Sequence, residues 1–182
     1  LLHFARPSPA TFAPQDLRAI IEEVLVLVEN QLRKGNIIVE TDFPGPRVDI
    51  YGDEQQLHQV FLNLALNAID AMRENRRGVL RVRVDYERIQ PRRGAKGPVS
   101  ELDRVKVCMT DTGCGMSSET LERIFTPFYT TKDEGTGLGL SVVHGIVSEH
   151  GGSIYVDSAT GRETTFVITL PIAHRLSERK GA

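Results

Sequence analysis

Apolar residues recur at Leu17, Ile20, Ile21, Val24, Leu27, Val28 and Leu32, three or four apart, which predicts an amphipathic helix over 15–34 that Gly35 ends. A short strand over 36–40 follows, and the Pro44-Gly45-Pro46 turn leads to Asp53, which can cap a second helix with Gln56 three positions on. That helix runs to about Arg73. Two strands, at 79–87 and 104–110, flank a basic loop over 90–98 that is rich in glycine and proline and reads as a mobile hairpin tip. Periodicity is weak from 116 to 134, and a third helix then spans about 138–150, with Val142, Val143, Ile146 and Val147 on one face. Gly151-Gly152 stops it, and two last strands, 153–158 and 164–170, flank a turn at Thr160-Gly161.

Strands and helices are mixed without strict alternation, which favours an α+β domain with a helix layer on one face of a sheet. The ends differ: 1–6 has helical composition broken by Pro7, Pro9 and Pro14, and the stretch after Pro171 is polar and frayed. A length of 182 residues with 40% apolar content suits one globular unit with a real core. The net charge of -2, from 22 basic and 24 acidic residues spread along the chain, promises no basic face to a nucleic acid. Cys108 and Cys114 lack the number and spacing for a disulfide framework or a zinc site, as expected in a reducing compartment. No apolar run approaches the roughly 20 residues that cross a bilayer, so this piece reads as soluble and cytoplasmic, although a parent can be membrane-attached through upstream segments.

The second helix is unusual. Leu57, Val60, Phe61, Leu64, Ala68 and Met72 share one arc, while Leu62, Leu66 and Ile69 fill a second, so the usual charged solvent face is missing. In the sector that remains, Asn63, Asn67 and Asp70 lie within about 60 degrees of one another. Buried unsatisfied polar groups cost roughly 1 to 3 kcal/mol, so the stripe wants partners. A hydrated Mg2+ and phosphate oxygens would supply them, since that ion takes oxygen ligands and keeps several waters. Taken alone, the stripe reads first as a polar edge that faces water or caps loops.

Two glycine clusters, Asp111-Thr112-Gly113-Cys114-Gly115 and Gly135-Thr136-Gly137-Leu138-Gly139-Leu140, bare backbone amides for phosphate. A P-loop is excluded, because no lysine followed by serine or threonine sits in the required frame. A dinucleotide fingerprint fails because Leu140 stands where a third glycine belongs and 125–134 is no strand. The serine, threonine and tyrosine kinase motifs are absent.

The order of blocks resembles the ATP-binding domain shared by sensor histidine kinases, gyrase-type topoisomerases, the ninety-kilodalton chaperones and MutL repair proteins, and within that group it looks like a histidine kinase. Residues 63–71 match the N box, 111–115 the first glycine box, 125–132 (Phe-Thr-Pro-Phe-Tyr-Thr-Thr-Lys) the F box, and 135–140 the second glycine box. The resemblance implies a two-layer α/β sandwich: a mixed, mostly antiparallel five-stranded sheet, about three helices on one face and a mobile ATP lid. It implies further that 1–14 are the end of a dimerisation helix and a linker, 15–171 the catalytic ATP-binding domain, and 172–182 a polar tail.

It also implies roles. Asp111 would accept a hydrogen bond from the adenine amino group, and Asn67 would hold Mg2+ through its oxygen, with Asn63 steadying the metal's waters and Asp70 near the nucleotide. Amides of Gly135 to Leu140, at the positive end of the following helix, would hold phosphates, and Thr130, Thr131 and Lys132 would reach them from the lid. Gly113 and Gly115 would bring backbone to the nucleotide, Thr165 would support Asp111, and the rings of Phe125 and Phe128 would anchor the lid.

Gyrase and chaperone branches use a glutamate as general base where this chain has Asn63, and asparagine cannot take a proton from water near neutral pH. Transfer to a separate nucleophile then remains, and it needs mainly positioning and charge neutralisation. None of His3, His58, His144, His150 and His174 fits the acceptor, which the family places upstream on a dimerisation domain. The expected partners are that domain and the receiver domain of a response regulator, with a homodimeric parent. Two other readings stay open: a regulatory nucleotide-binding module without transfer, and a gyrase-like or chaperone-like ATPase fragment.

Overall fold

The structure, a computed structural model, describes residues 10–73, 77–88, 103–132 and 135–172. The expectations for 1–9, for the basic loop at 90–98 and for 173–182 lie outside the described residues.

The first helical pattern resolves into three elements. Strand β1 (Ala13–Asp16) pairs antiparallel with β3 (Asp49–Gly52), opposing Pro14 to Tyr51. Helix α1 (Leu17–Leu27) begins only after it, because the Asp16 carboxylate accepts from the backbone N–H groups of both Arg18 (3.1 Å) and Val48 (3.0 Å). The chain turns at Val28 and resumes as α2 (Glu29–Lys34). That break changes the phase of the apolar stripe: Val28 is buried at 1% exposure, whereas Leu27, expected on the core face, is 64% exposed. Leu17, Ile20, Ile21, Val24 and Leu32 are buried as the pattern requires.

Helix α3 (Glu54–Ala71) starts where Asp53 accepts from the Gln56 N–H at 2.9 Å. The reciprocal half of a capping box is not made, since the Gln56 side chain reaches Glu149 and the other Asp53 oxygen accepts from the Thr11 N–H. Those bonds hold the Asp53 carboxyl below the usual range, the Gln56 N–H contributing most. Helix α3 packs against α5 (Gly139–Glu149) on one side and α1 on the other. Lying between two helices explains why α3 has no charged solvent face.

Beneath them runs a five-stranded sheet in the order β2-β4-β5-β7-β6, with β2 (Ile37–Asp42) parallel to β4 (Gly78–Arg88). β5 (Asp103–Asp111), β7 (Thr164–Pro171) and β6 (Ser153–Ser158) add antiparallel. The mixed, mostly antiparallel sheet and single helix layer agree with the sequence-based expectation. Along β5 the alternate residues Val105, Val107, Met109 and Asp111 are buried on the helix side, which fixes the face on which the strand ends. A short helix, α4 (Ser118–Arg123), lies in the weakly periodic stretch, where the sequence showed no helix.

Candidate nucleotide-binding site

The register of β5 delivers Asp111 to the helix-side end of the sheet, where it is buried at 3% exposure and one of its oxygens accepts from the Gly113 N–H at 2.9 Å. Burial pushes its carboxyl up to about 6; the Gly113 bond opposes the rise and the Glu163 charge adds to it. The loop beyond is pinned on two sides. The Cys114 N–H donates to the Ala71 carbonyl at 3.1 Å, and the Gly161 N–H donates to the Cys114 carbonyl at 2.7 Å. Glycine is required here: a Cβ on Gly113 would lie 2.7 Å from that of Ala71, and Gly115, at φ +69, would put one 2.0 Å from the Ala159 carbonyl oxygen.

Across from this loop, Asn63, Asn67 and Asp70 all line one cleft of about 460 Å3. That volume suits a drug-sized or nucleotide-sized ligand. The Asn63 amide nitrogen donates to the Gly139 carbonyl at 3.5 Å, which ties the stripe to the first turn of α5. Lys132 closes over the other end: its ammonium lies 2.7 Å from an Asp70 oxygen and 3.1 Å from the Asn67 oxygen. Arg73 takes the second Asp70 oxygen at 2.9 Å.

The first turn of α5 has no side-chain cap and no acidic residue, so its leading amides are free of a competing carboxylate. Gly137 has φ +67, and a Cβ there would lie 2.4 Å from the Phe128 carbonyl carbon. A cradle of bare amides next to an asparagine oxygen and an ammonium suits a polyphosphate with a hydrated divalent cation. Asn67 and Asp70 would supply the protein oxygens toward the cation.

Of the residues singled out from the sequence, the cleft gathers Asn63, Asn67, Asp70, Asp111, Gly115, Thr130, Thr131 and Lys132, together with Gly135, Thr136, Gly137, Gly139 and Leu140. Gly113 and Leu138 stand behind the lining. Thr165 is not brought to the cleft. It pairs with Thr110, and the two hydroxyls meet at 2.9 Å on the opposite sheet face. Thr164 opposes Asp111, lines the cleft, and shares a 2.9 Å hydrogen bond with Ser158. The threonine expected beside Asp111 is therefore one residue earlier.

The lid differs from expectation in one ring. Phe125 packs against the core and against His144, with centroids 5.5 Å apart, but Phe128 is 75% exposed at a left-handed φ of 66. Phe128 anchors nothing within the described residues. Buried Ile124 takes the anchoring part, and Tyr129 lies 4.4 Å under the Arg123 guanidinium. Met116, Leu140 and Phe166 give the cleft an apolar side that the sequence did not single out, apart from Leu140.

No described histidine lines the cleft. His58 bonds the Glu54 carbonyl (2.9 Å) and Glu23 (2.8 Å). His150 accepts from the Asp53 N–H at 3.0 Å through Nε2, so its Nδ1 carries the proton given to the Ile146 carbonyl. His3 and His174 lie outside the described residues.

A sheet-end carboxylate, an amide stripe and a glycine-hinged lid on this sandwich define an ATP-binding domain class, and comparison with known proteins agrees. The chain belongs to the family described as "Histidine kinase-, DNA gyrase B-, and HSP90-like ATPase", which matches residues 52–174. It is 38% identical over 172 residues to sensor histidine kinase ZraS of Escherichia coli (strain K12), covering 94% of this chain and 34% of ZraS. The chain thus spans about a third of that relative's length. Among solved structures, the catalytic domain of histidine kinase ThkA matches with a TM-score of 0.72 and 30% identity, covering 89% of this chain and 98% of that one. A second, of ThkA in complex with response regulator protein TrrA, matches with a TM-score of 0.69 and 29% identity, covering 89% of this chain and 42% of that one. The fold is that of histidine kinase catalytic domains.

Proposed function

We propose that this chain binds Mg-ATP and presents its terminal phosphate to a histidine on a dimerisation domain of the parent protein, for relay to the receiver domain of a response regulator. Asn63 carries this reading. Its amide donates to the Gly139 carbonyl, a bond that a carboxylate at the same place cannot make, so the cleft is organised around a group with no capacity as a general base. Hydrolysis loses its proton acceptor, and transfer to an outside nucleophile remains. The similarity to ZraS, and to ThkA with its regulator TrrA, supports the choice of partner. We place the domain in the cytoplasm of the cell and the parent in a homodimer; among the described residues no helix is long and apolar enough to cross a membrane.

Asp111 accepts the adenine amino group from its buried position, with Thr164 beside it. The amides opening α5 hold phosphate oxygens, and Lys132 and Thr131 approach them from the lid. Asn67 would hold Mg2+ through its side-chain oxygen, with Asp70 beside it and Asn63 toward the metal's waters; the ion, when bound, would neutralise phosphate charge. The lid excludes water from the reacting end.

The test is phosphoryl transfer in trans. This domain, given labelled ATP alone, should not label a histidine stably, and adding a fragment with the parent's dimerisation helices should produce labelling there. Asn67→Ala should reduce transfer at least a hundredfold. Rapid ATP hydrolysis without transfer would instead establish the ATPase reading, and tight ATP binding with neither activity the regulatory one.

A further inference from the structure

We propose that in the nucleotide-free protein the Lys132 ammonium occupies the cation position of the cleft, latching the lid to α3 and weakening divalent-cation binding until the nucleotide arrives. This rests on the Mg-ATP reading above and concerns the regulation of the same site. The ammonium lies 3.1 Å from the Asn67 oxygen and 2.7 Å from the Asp70 oxygen, the two protein oxygens suited to the metal. Magnesium needs oxygens at about 2.1 Å, and a divalent ion sharing these two atoms with an ammonium would place like charges in contact. The two occupants exclude each other.

The geometry also explains why the latch can be released. Lys132 is held locally by a tight turn: its N–H donates to the Thr130 hydroxyl at 3.0 Å, and the Gly135 N–H donates to its carbonyl at 3.2 Å. The turn sets the lysine's direction, and Gly137 at φ +67 lies between it and α5. Polyphosphate arriving at the α5 amides offers the ammonium new oxygens, while its metal takes Asn67 and Asp70. One ion pair is exchanged for two. Because binding linkages are reciprocal, the factor by which nucleotide tightens cation binding is also the factor by which the cation tightens nucleotide binding. Both side chains of the pair are partly exposed, at 44% and 33%, so the coupling is modest, about threefold to tenfold.

Mn2+ binding to the nucleotide-free protein, followed by electron paramagnetic resonance, and amide hydrogen exchange of 129–137 give the test. Lys132→Met should tighten Mn2+ binding about threefold to tenfold and speed exchange of the lid amides by a similar factor. Asp70→Asn should speed the same exchange without tightening Mn2+. Arg73→Ala, which leaves Lys132 in place, should leave lid exchange as in the unaltered chain. Unchanged lid exchange and unchanged Mn2+ affinity in Lys132→Met would overturn the latch. Calorimetry with a non-hydrolysable ATP analogue and Mg2+ on the unaltered chain separates the two ideas: absence of binding there defeats the proposed function, whatever the exchange data show.

Discussion

The two ends of the cleft are built on opposite principles. At one end, Asp111 is buried at 3% exposure, and the loop after it is pinned by backbone bonds to α3 and to the β6–β7 turn. At the other, Lys132, on a segment that reaches α5 through Gly137 at φ +67, meets Asp70 of α3 in a partly exposed ion pair. The first is preorganised and costly to the fold, because a carboxylate is held desolvated; the second is cheap and reversible. In the Mg-ATP reading proposed above, recognition is thereby separated from motion within one site.

The largest break should come from Asp111→Asn, which replaces the acceptor for an amino group with a mixed donor and acceptor. ATP affinity should fall at least a hundredfold by calorimetry, about 3 kcal/mol. The same variant should be more stable. The folded protein holds the Asp111 proton more tightly than the unfolded chain does, so stability falls as pH rises from the ordinary value of 3.8 toward about 6. Removing the charge should therefore return about 1 to 3 kcal/mol at neutral pH, measured by urea unfolding. Unchanged or lower stability with lost binding would remove the idea that recognition is maintained against the fold.

Next in size, Gly115→Ala forces a side chain into a left-handed backbone against the Ala159 carbonyl and should destabilise the domain by about 2 to 4 kcal/mol. Binding that depends on an ionised Asp111 should weaken about tenfold between pH 7.5 and pH 5, as the carboxyl takes up its proton near 6. A flat affinity over that range would show that the anion is not what adenine meets. Smallest is the contrast within the lid: Phe125→Ala should cost about 1 to 2 kcal/mol, and Phe128→Ala less than about 0.5 kcal/mol, by thermal unfolding.

Much of this was legible in the chain because it rests on periodicity. The face shared by Asn63, Asn67 and Asp70 follows from helical spacing, and the sheet strands follow from alternation of burial. Thr164 was not legible, because two adjacent hydroxyls look alike until pairing with β5 decides which one shares a face with Asp111. Leu27 misled for a related reason: the turn at Val28 resets the helical phase, and no proline or glycine marks it. Phe128 required knowledge of a positive φ that its residue type rarely adopts. Helix α4 is six residues long, too short for its period to show.

Helices α3 and α5 run antiparallel and are joined at both ends of α5. Asn63 bonds Gly139 at one end, and His150 and Glu149 bond Asp53 and Gln56 at the other. Ties at two points resist sliding of α5 along α3, which leaves the lid as an attached flap. Exchanging residues 117–134 for the corresponding stretch of a relative should then alter the rate of the proposed phosphoryl transfer while leaving the proposed adenine preference intact, which makes the flap an interchangeable part.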